Sequence, residues 1–323
     1  MVSIDQTIQD AWNGFEEVFF KHRILHPDKD RAIEGYDAVA QKHLSDDSLD
    51  RDIRDSVEAL KKAYSADSIR VSISPEDDEN KTAQALSYFR ESMELIDSQH
   101  DIVEAIVREF RGIFFNQFRI DHDLGIEDLK KAEEIYEKHG HMEKMARSSS
   151  VKGANYLGRA LRKEVTLGKD DFRESEGCFM KAISLSDELL SEGTVNDGLI
   201  TYKGIDYLSR NIISIKADAN HGLGRAHYLR AEADENNSEH HLMRSVEILN
   251  ESEKLYSEVE GGEGPTAIIN LEKAYVLSLL NMKDECRIAM ERYNEGVSTG
   301  TVQDASKTVL KHEVDHVEQY LDG

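Results

Sequence analysis

Apolar residues recur every third or fourth position almost from end to end of this chain. That period fits a helix packed along one face and does not fit a strand. In "TAQALSYFRESMELI", Ala85, Phe89, Met93 and Ile96 share a face. In "DIVEAIVREFRGIFFNQF", Ile102, Ile106, Phe110, Ile113 and Phe114 do the same. The chain holds only three prolines, so little interrupts the pattern. The breaks fall at "HPDKD" (26–30), "DHDLG" (121–125), "LGKDD" (167–171), "SEGTVNDG" (191–198), "ADENNSE" (233–239) and "EGGEGPT" (260–266). Each carries Gly, Pro, Asn or Asp, the residues that turn a chain. Between them the sequence predicts about a dozen helices of roughly 15–25 residues. "SIRVSIS" (68–74) alternates like a strand. A lone strand has no partner, so it is expected as an extended linker. The acidic turn "SPEDDEN" (74–80) after it is the strongest candidate boundary.

The charge narrows the partners. Sixty-four acidic residues against 40 basic give a formal net charge of −24 on 323 residues. Such a chain repels nucleic-acid phosphates and anionic membrane surfaces, so neither is expected as a partner. The excess of acid has two readings, plain solubility or adaptation to a high-salt cytoplasm in which screening removes the self-repulsion. Only Cys178 and Cys286 are present, far apart, which points to a reducing compartment and no disulfide framework. No apolar run approaches the ~18 residues of a membrane span. The N-terminal segment lacks a basic region followed by a clean apolar run. A cytoplasmic location is expected.

The helices carry internal echoes. "ANYLGRA" (154–160) and "ANHGLGRA" (219–226) match, and "NLEKA" (270–274) is a weaker copy, which aligns Leu157, Leu223 and Leu271. A second signature sets a small residue before a large one four later and another three beyond. It reads Ala132-Tyr136-His139, Ser175-Phe179-Ala182, Ser245-Leu249-Ser252 and Ala289-Tyr293-Gly296, with Ala32-Tyr36-Val39 as an N-terminal copy. A small residue lets two antiparallel helices approach, and the large side chain one turn on fills the groove beside it. One such hairpin cannot bury its own face, so copies must stack.

On these residues the chain resembles the tetratricopeptide-repeat family. Leu157-Gly158 and Leu223-Gly224 match the Leu-Gly pair of that family's first helix, and Ser175-Phe179-Ala182 matches the run in its second. The similarity covers roughly residues 100–297, about four hairpins of irregular length without the usual Pro after each second helix. The resemblance implies an all-α fold of stacked antiparallel helical hairpins forming a right-handed solenoid. Residues 1–78 are expected as an N-terminal, possibly capping, helical segment, 79–300 as repeats and 301–323 as a capping helix. It also implies a protein that binds partners on a concave face.

Two short patterns suggest other chemistries. "HEVDH" (312–316) has the zinc-protease form, with two His one turn apart and a Glu between them. However, Asp315 and Glu318 stand where such motifs keep uncharged residues, and few residues remain to supply a third ligand. Leu310, Val314, Val317 and Leu321 form the apolar stripe of this helix. At about 100° per residue, His312 and His316 lie opposite that stripe and are expected to face water. His26-Pro27-Asp28 matches the tripeptide of J-domain cochaperones, but too little chain precedes it for the rest of that domain. The expectation is that Pro27 ends one helix and Asp28 caps the next. The histidines at 122, 139, 141, 240 and 241 do not converge. "GGEG" (261–264) is acidic and follows a helix, which is wrong for a phosphate cradle. No metal or cofactor is expected.

One constellation fits binding. Two residues after each aligned leucine stand Arg159, Arg225 and Lys273, with Lys152, Asn155, Arg162 and Asn270 on nearby turns. A basic, amide-bearing row would take an acidic peptide or a terminal carboxylate, because guanidinium bonds carboxylate in bidentate fashion. The plainer alternative is that these cations pair with local carboxylates. Tyr156, Arg159, Arg225 and Tyr228 are the expected contact residues, since Tyr and Arg dominate interface energetics. The chain is therefore expected to be a non-enzymatic scaffold or adaptor for another protein or an acidic peptide. A ligand-responsive regulator is the alternative, and a zinc metallohydrolase using HEVDH is the remaining, disfavoured one.

Overall fold

The helical period has its counterpart throughout the computed structural model. It describes residues 5–19, 21–22, 28–73, 78–96, 100–162, 169–233, 238–302 and 310–323. Among these the chain is all-α, with thirteen helices and one small sheet, and it divides between His141 and Met142.

The first unit holds α1 (Gln6–Phe19), α2 (Lys29–Leu44), α3 (Arg51–Val71), α4 (Asp78–Leu95), α5 (Asp101–Phe118) and α6 (His122–His139). Local chemistry sets several ends. Asp28 caps α2 by accepting from the Arg31 N–H, as expected from sequence, and Asp121 caps α6 by accepting from the Leu124 N–H. Gly140, at φ 77°, closes α6 in the left-handed conformation that glycine adopts without cost. His26 and Pro27 lie outside the described residues. Neighbouring helices pack in pairs. Gly14 faces Val39 across α1 and α2, and Gly112 faces Leu129 across α5 and α6. The rings of Phe15, Tyr36, Tyr64 and Phe110 form the centre of the unit, with Tyr64 and Phe110 edge-on at 4.9 Å between centroids.

One expectation changes here. "SIRVSIS" is not an extended linker: α3 runs helically through Val71. Residues 63–70 are buried on every side, including Ser65, Asp67, Ser68 and Arg70, so no polar face marks the helix period. Arg70 meets Asp67 at 2.7 Å inside that region. The acidic turn, of which 74–77 lie outside the described residues, joins two helices that pack on each other. Ser92 Oγ of α4 donates to Ala59 O of α3 at 2.6 Å.

The second unit holds α7 (Met142–Arg162), α8 (Lys169–Glu192), a three-stranded antiparallel sheet, α9 (Ser209–Ala233), α10 (Ser238–Ser257), α11 (Glu263–Leu279), α12 (Lys283–Ser298) and α13 (Lys311–Asp322). Its strands are β1 (Thr194–Asn196), β2 (Leu199–Tyr202) and β3 (Ile205–Leu208), in that order. Asp197-Gly198 and Lys203-Gly204 turn the strands, and all four residues have positive φ, as two-residue hairpins of matching twist require. Ile200, Tyr202 and Tyr207 bury one face against Leu189 and Ile212. The sequence predicts only a break over this segment, not a sheet.

The hairpins of this unit share a crossing. Ser175 Oγ of α8 donates to Gly153 O of α7 at 2.8 Å, and Ser245 Oγ of α10 donates to Gly224 O of α9 at 2.8 Å. Cys286 Sγ of α12 reaches Ala274 O of α11 at 3.3 Å. Two turns further, Ser252 Oγ donates to Ala217 O at 2.8 Å, which fixes the antiparallel sense of α9 and α10. The large residue four after each serine then lies on the bare glycine: Phe179 on Gly153 and Leu249 on Gly224. The small residue of the sequence pattern thus gives close approach and also a cross-helix donor.

Candidate functional site

The shared crossings set the true correspondence between hairpins. Gly153, Gly224 and Ala274 are equivalent, in place of the leucines that the sequence aligned. In this register Arg159 lies six residues after its crossing, Arg225 one after and Lys273 one before. At about 100° per residue, Arg159 and Lys273 come within ~20° of each other, while Arg225 points ~140° from Arg159. The three cations do not form one row.

Each of the three meets a carboxylate. Arg159 Nη2 lies 2.6 Å from Asp171 on α8, and its guanidinium covers the Tyr156 ring at 5.0 Å. Arg225 Nε lies 3.1 Å from Glu272 on α11. Lys273 Nζ lies 2.6 Å from Glu253 on α10. Asn155 Nδ2 donates to Val151 O, and Asn270 Nδ2 donates to Thr266 O and to Glu253. Lys152, Asn155, Asn270 and Lys273 are buried, as are Tyr156 and Tyr228, at 5% and 2% exposed. Among the expected contact residues only Arg162 is exposed, with Arg159 and Arg225 half-buried.

Around Arg225 the structure builds a polar network that no short motif announces. Glu272 is buried and accepts from His221 Nε2 at 2.6 Å as well as facing Arg225. Burial alone would raise the Glu272 carboxyl, but His221 and Arg225 outweigh it and hold it below the usual carboxylate range. The Glu272 charge in turn holds the Arg225 guanidinium up, against burial. Burial pushes the Tyr228 hydroxyl upward.

The HEVDH helix, α13, borders this network. Its stripe is as expected, with Leu310 and Val317 buried and Val314 and Leu321 packed beside them. Of the two histidines, only His316 differs from expectation. His316 is half-buried, and His312 and His316 both stand edge-on to the Tyr275 ring, at 6.1 and 5.0 Å between centroids. Glu313 Oε2 is buried with no hydrogen-bond partner among the described residues. His312 thus stays exposed, as expected, while His316 is drawn partly into the fold against a ring of α11. No group of three His, Cys, Asp or Glu among the described residues is arranged to hold a metal ion.

A second histidine contact was also hidden. His227 Nδ1 and His241 Nδ1 meet at 3.2 Å between α9 and α10. The histidines were expected not to converge, yet the His240 and His241 rings lie 5.7 Å apart between centroids and His241 also meets His227 from another helix.

No protein-family model matches the chain, and no curated protein matches it in sequence. The fold defines a class: all-α proteins whose consecutive helices pack as antiparallel hairpins. Among the described residues no helix is long and apolar enough to cross a membrane.

Proposed function

We propose that this chain is a non-enzymatic scaffold or adaptor of the tetratricopeptide-like kind. It engages a partner peptide or protein on the face carried by the first helices of its hairpins, α7, α9 and α11. The observation that carries the reading is the recurrent crossing of serine or cysteine on a backbone carbonyl in three successive hairpins. Repetition of one hairpin is how a chain extends a binding surface without building a catalytic cleft. The paired cations change the expected contact chemistry. Arg162 is exposed and Arg159 half-buried, whereas Lys273 is buried on Glu253 and Arg225 meets the buried Glu272.

The test is affinity capture of partners by the full chain and by Arg162→Glu, with Arg159→Gln as the milder second variant. Loss of one defined partner from both variants, with melting unchanged, supports the face. Equal capture by all three proteins refutes it. Charge reversal at Arg225 is unsuitable, because it would set a carboxylate against the buried Glu272. The metallohydrolase alternative would return if purified protein held stoichiometric zinc that His312→Ala removed.

A further inference from the structure

Between α10, the first two turns of α11 and α12 lies a cavity of ≈ 650 Å³. That is the size of a small-molecule site. Asn270 forms part of its wall and is 1% exposed. Its Nδ2 donates to Thr266 O at 2.9 Å and to Glu253 Oε1 at 3.1 Å, which sets the orientation of the amide. Its Oδ1 is buried and has no hydrogen-bond partner among the described residues. An acceptor left in that state costs free energy that an arriving donor would restore.

The charges around the cavity agree on the sign of that donor. Glu253, Glu263 and Glu295 line it with Arg292. The Glu253 carboxylate is already taken by Lys273 at 2.6 Å and Arg292 at 3.0 Å. Glu263 and Glu295 are exposed, and neither has a cationic partner among the described residues. The unmet groups are thus one buried acceptor and two carboxylates. Asn270 also borders a smaller cavity of ≈ 240 Å³, but Lys273 lines that one and would repel a second cation.

We infer that the larger cavity binds a small organic cation, an ammonium or guanidinium group. Its N–H would donate to Asn270 Oδ1, and its charge would lie against Glu263 and Glu295. An anion would meet three carboxylates and one guanidinium already committed to Glu253. The inference does not depend on the scaffold reading: α7 and α9 supply none of the wall, which α10, α11, α12 and their adjoining loops share.

Calorimetric titration of the full chain with putrescine and with L-argininamide, at about 0.15 M salt to screen diffuse attraction, tests it. Sodium acetate serves as the anionic control. A single saturable site for at least one cation is expected. It should weaken by about tenfold or more in the Glu263→Gln/Glu295→Gln double variant and in Asn270→Ala, since both remove partners of a charged donor. Acetate should not bind. Absence of saturable cation binding, unchanged affinity in the double variant, or preference for acetate would each overturn the inference. The double variant alters exposed positions only and decides the matter if Asn270→Ala does not fold.

Discussion

Asp128 has no solvent exposure, and its two oxygens take three hydrogen bonds at 2.6–2.7 Å from Arg108 and Arg111. Removing the carboxylate leaves two guanidinium groups crowded without their counter-charge. Asp128→Ala is expected to cost about 3 kcal/mol, the low end for a broken buried pair, because both arginines keep some water. Urea denaturation of the variant measures this. The His227 contact gives a pH dependence. Burial chiefly pushes its imidazole down, to about 4, with His241, Arg244 and Arg230 acting the same way and Glu176 against them. The folded state therefore favours neutral His227. This contribution is complete above an unfolded value of about 6.5 and is lost as the pH falls toward the folded value. The melting temperature should fall across that window, and the fall should shrink in His227→Gln. An identical profile for both proteins would assign the acid sensitivity elsewhere.

At the level of helices, close approach depends on missing side chains. Phe179 of α8 lies between Gly153 of α7 and Gly222 of α9. A Cβ at Gly153 would sit 2.9 Å from the ring, and one at Gly222 would run into it directly. Gly222→Ala should destabilise by about 1–3 kcal/mol through overpacking. Gly177→Ala, on the open side of α8 where no atom lies within 4 Å, should instead stabilise by up to about 1 kcal/mol. Opposite signs for the two substitutions in thermal melts would confirm that packing, and not helix propensity, sets the glycine positions. The last helix is held by its stripe. Leu310 is 6% exposed, so Leu310→Ala should cost about 2–5 kcal/mol. His312→Ala, at an exposed site, should cost far less. Comparable losses for both would mean that the contact with Tyr275 supports α13 as much as the stripe does.

For the whole molecule the dominant fact is the charge of −24. Many acids are paired locally, as Asp171, Glu253 and Glu272 show. The excess is not, and it repels itself. Raising salt from millimolar to about 1 M contracts the screening length from tens of ångströms to about 3 Å. The melting temperature should therefore rise with salt. A melting point indifferent to salt would show that the surplus acid is dispersed widely enough to carry little strain, and would remove the case for a high-salt cytoplasm.

Helix content, the positions of most turns and the N-cap at Asp28 were legible in the sequence, because each depends on neighbours within about one turn. The small-then-large pattern at Ser175-Phe179 and Ser245-Leu249 was legible too, since close packing of two helices leaves a periodic trace. The sheet was missed although Asp197-Gly198 and Lys203-Gly204 are hairpin turns by composition; strands of three or four residues give too short an alternation to stand out. Residues 63–70 misled for the opposite reason, because burial on all sides erases the helical period. The candidate site shows the sharpest division. Which residues are cationic is written in the chain, but whether Arg225 faces solvent or Glu272, and whether Lys273 meets Glu253, depends on how helices from different hairpins are brought together. The orphaned Asn270 oxygen and the orientation of His316 onto Tyr275 belong to the same category. Sequence period reports which side of a helix is buried. Only tertiary packing decides what that side meets, because the partners are distant in the chain and adjacent only once the fold is complete.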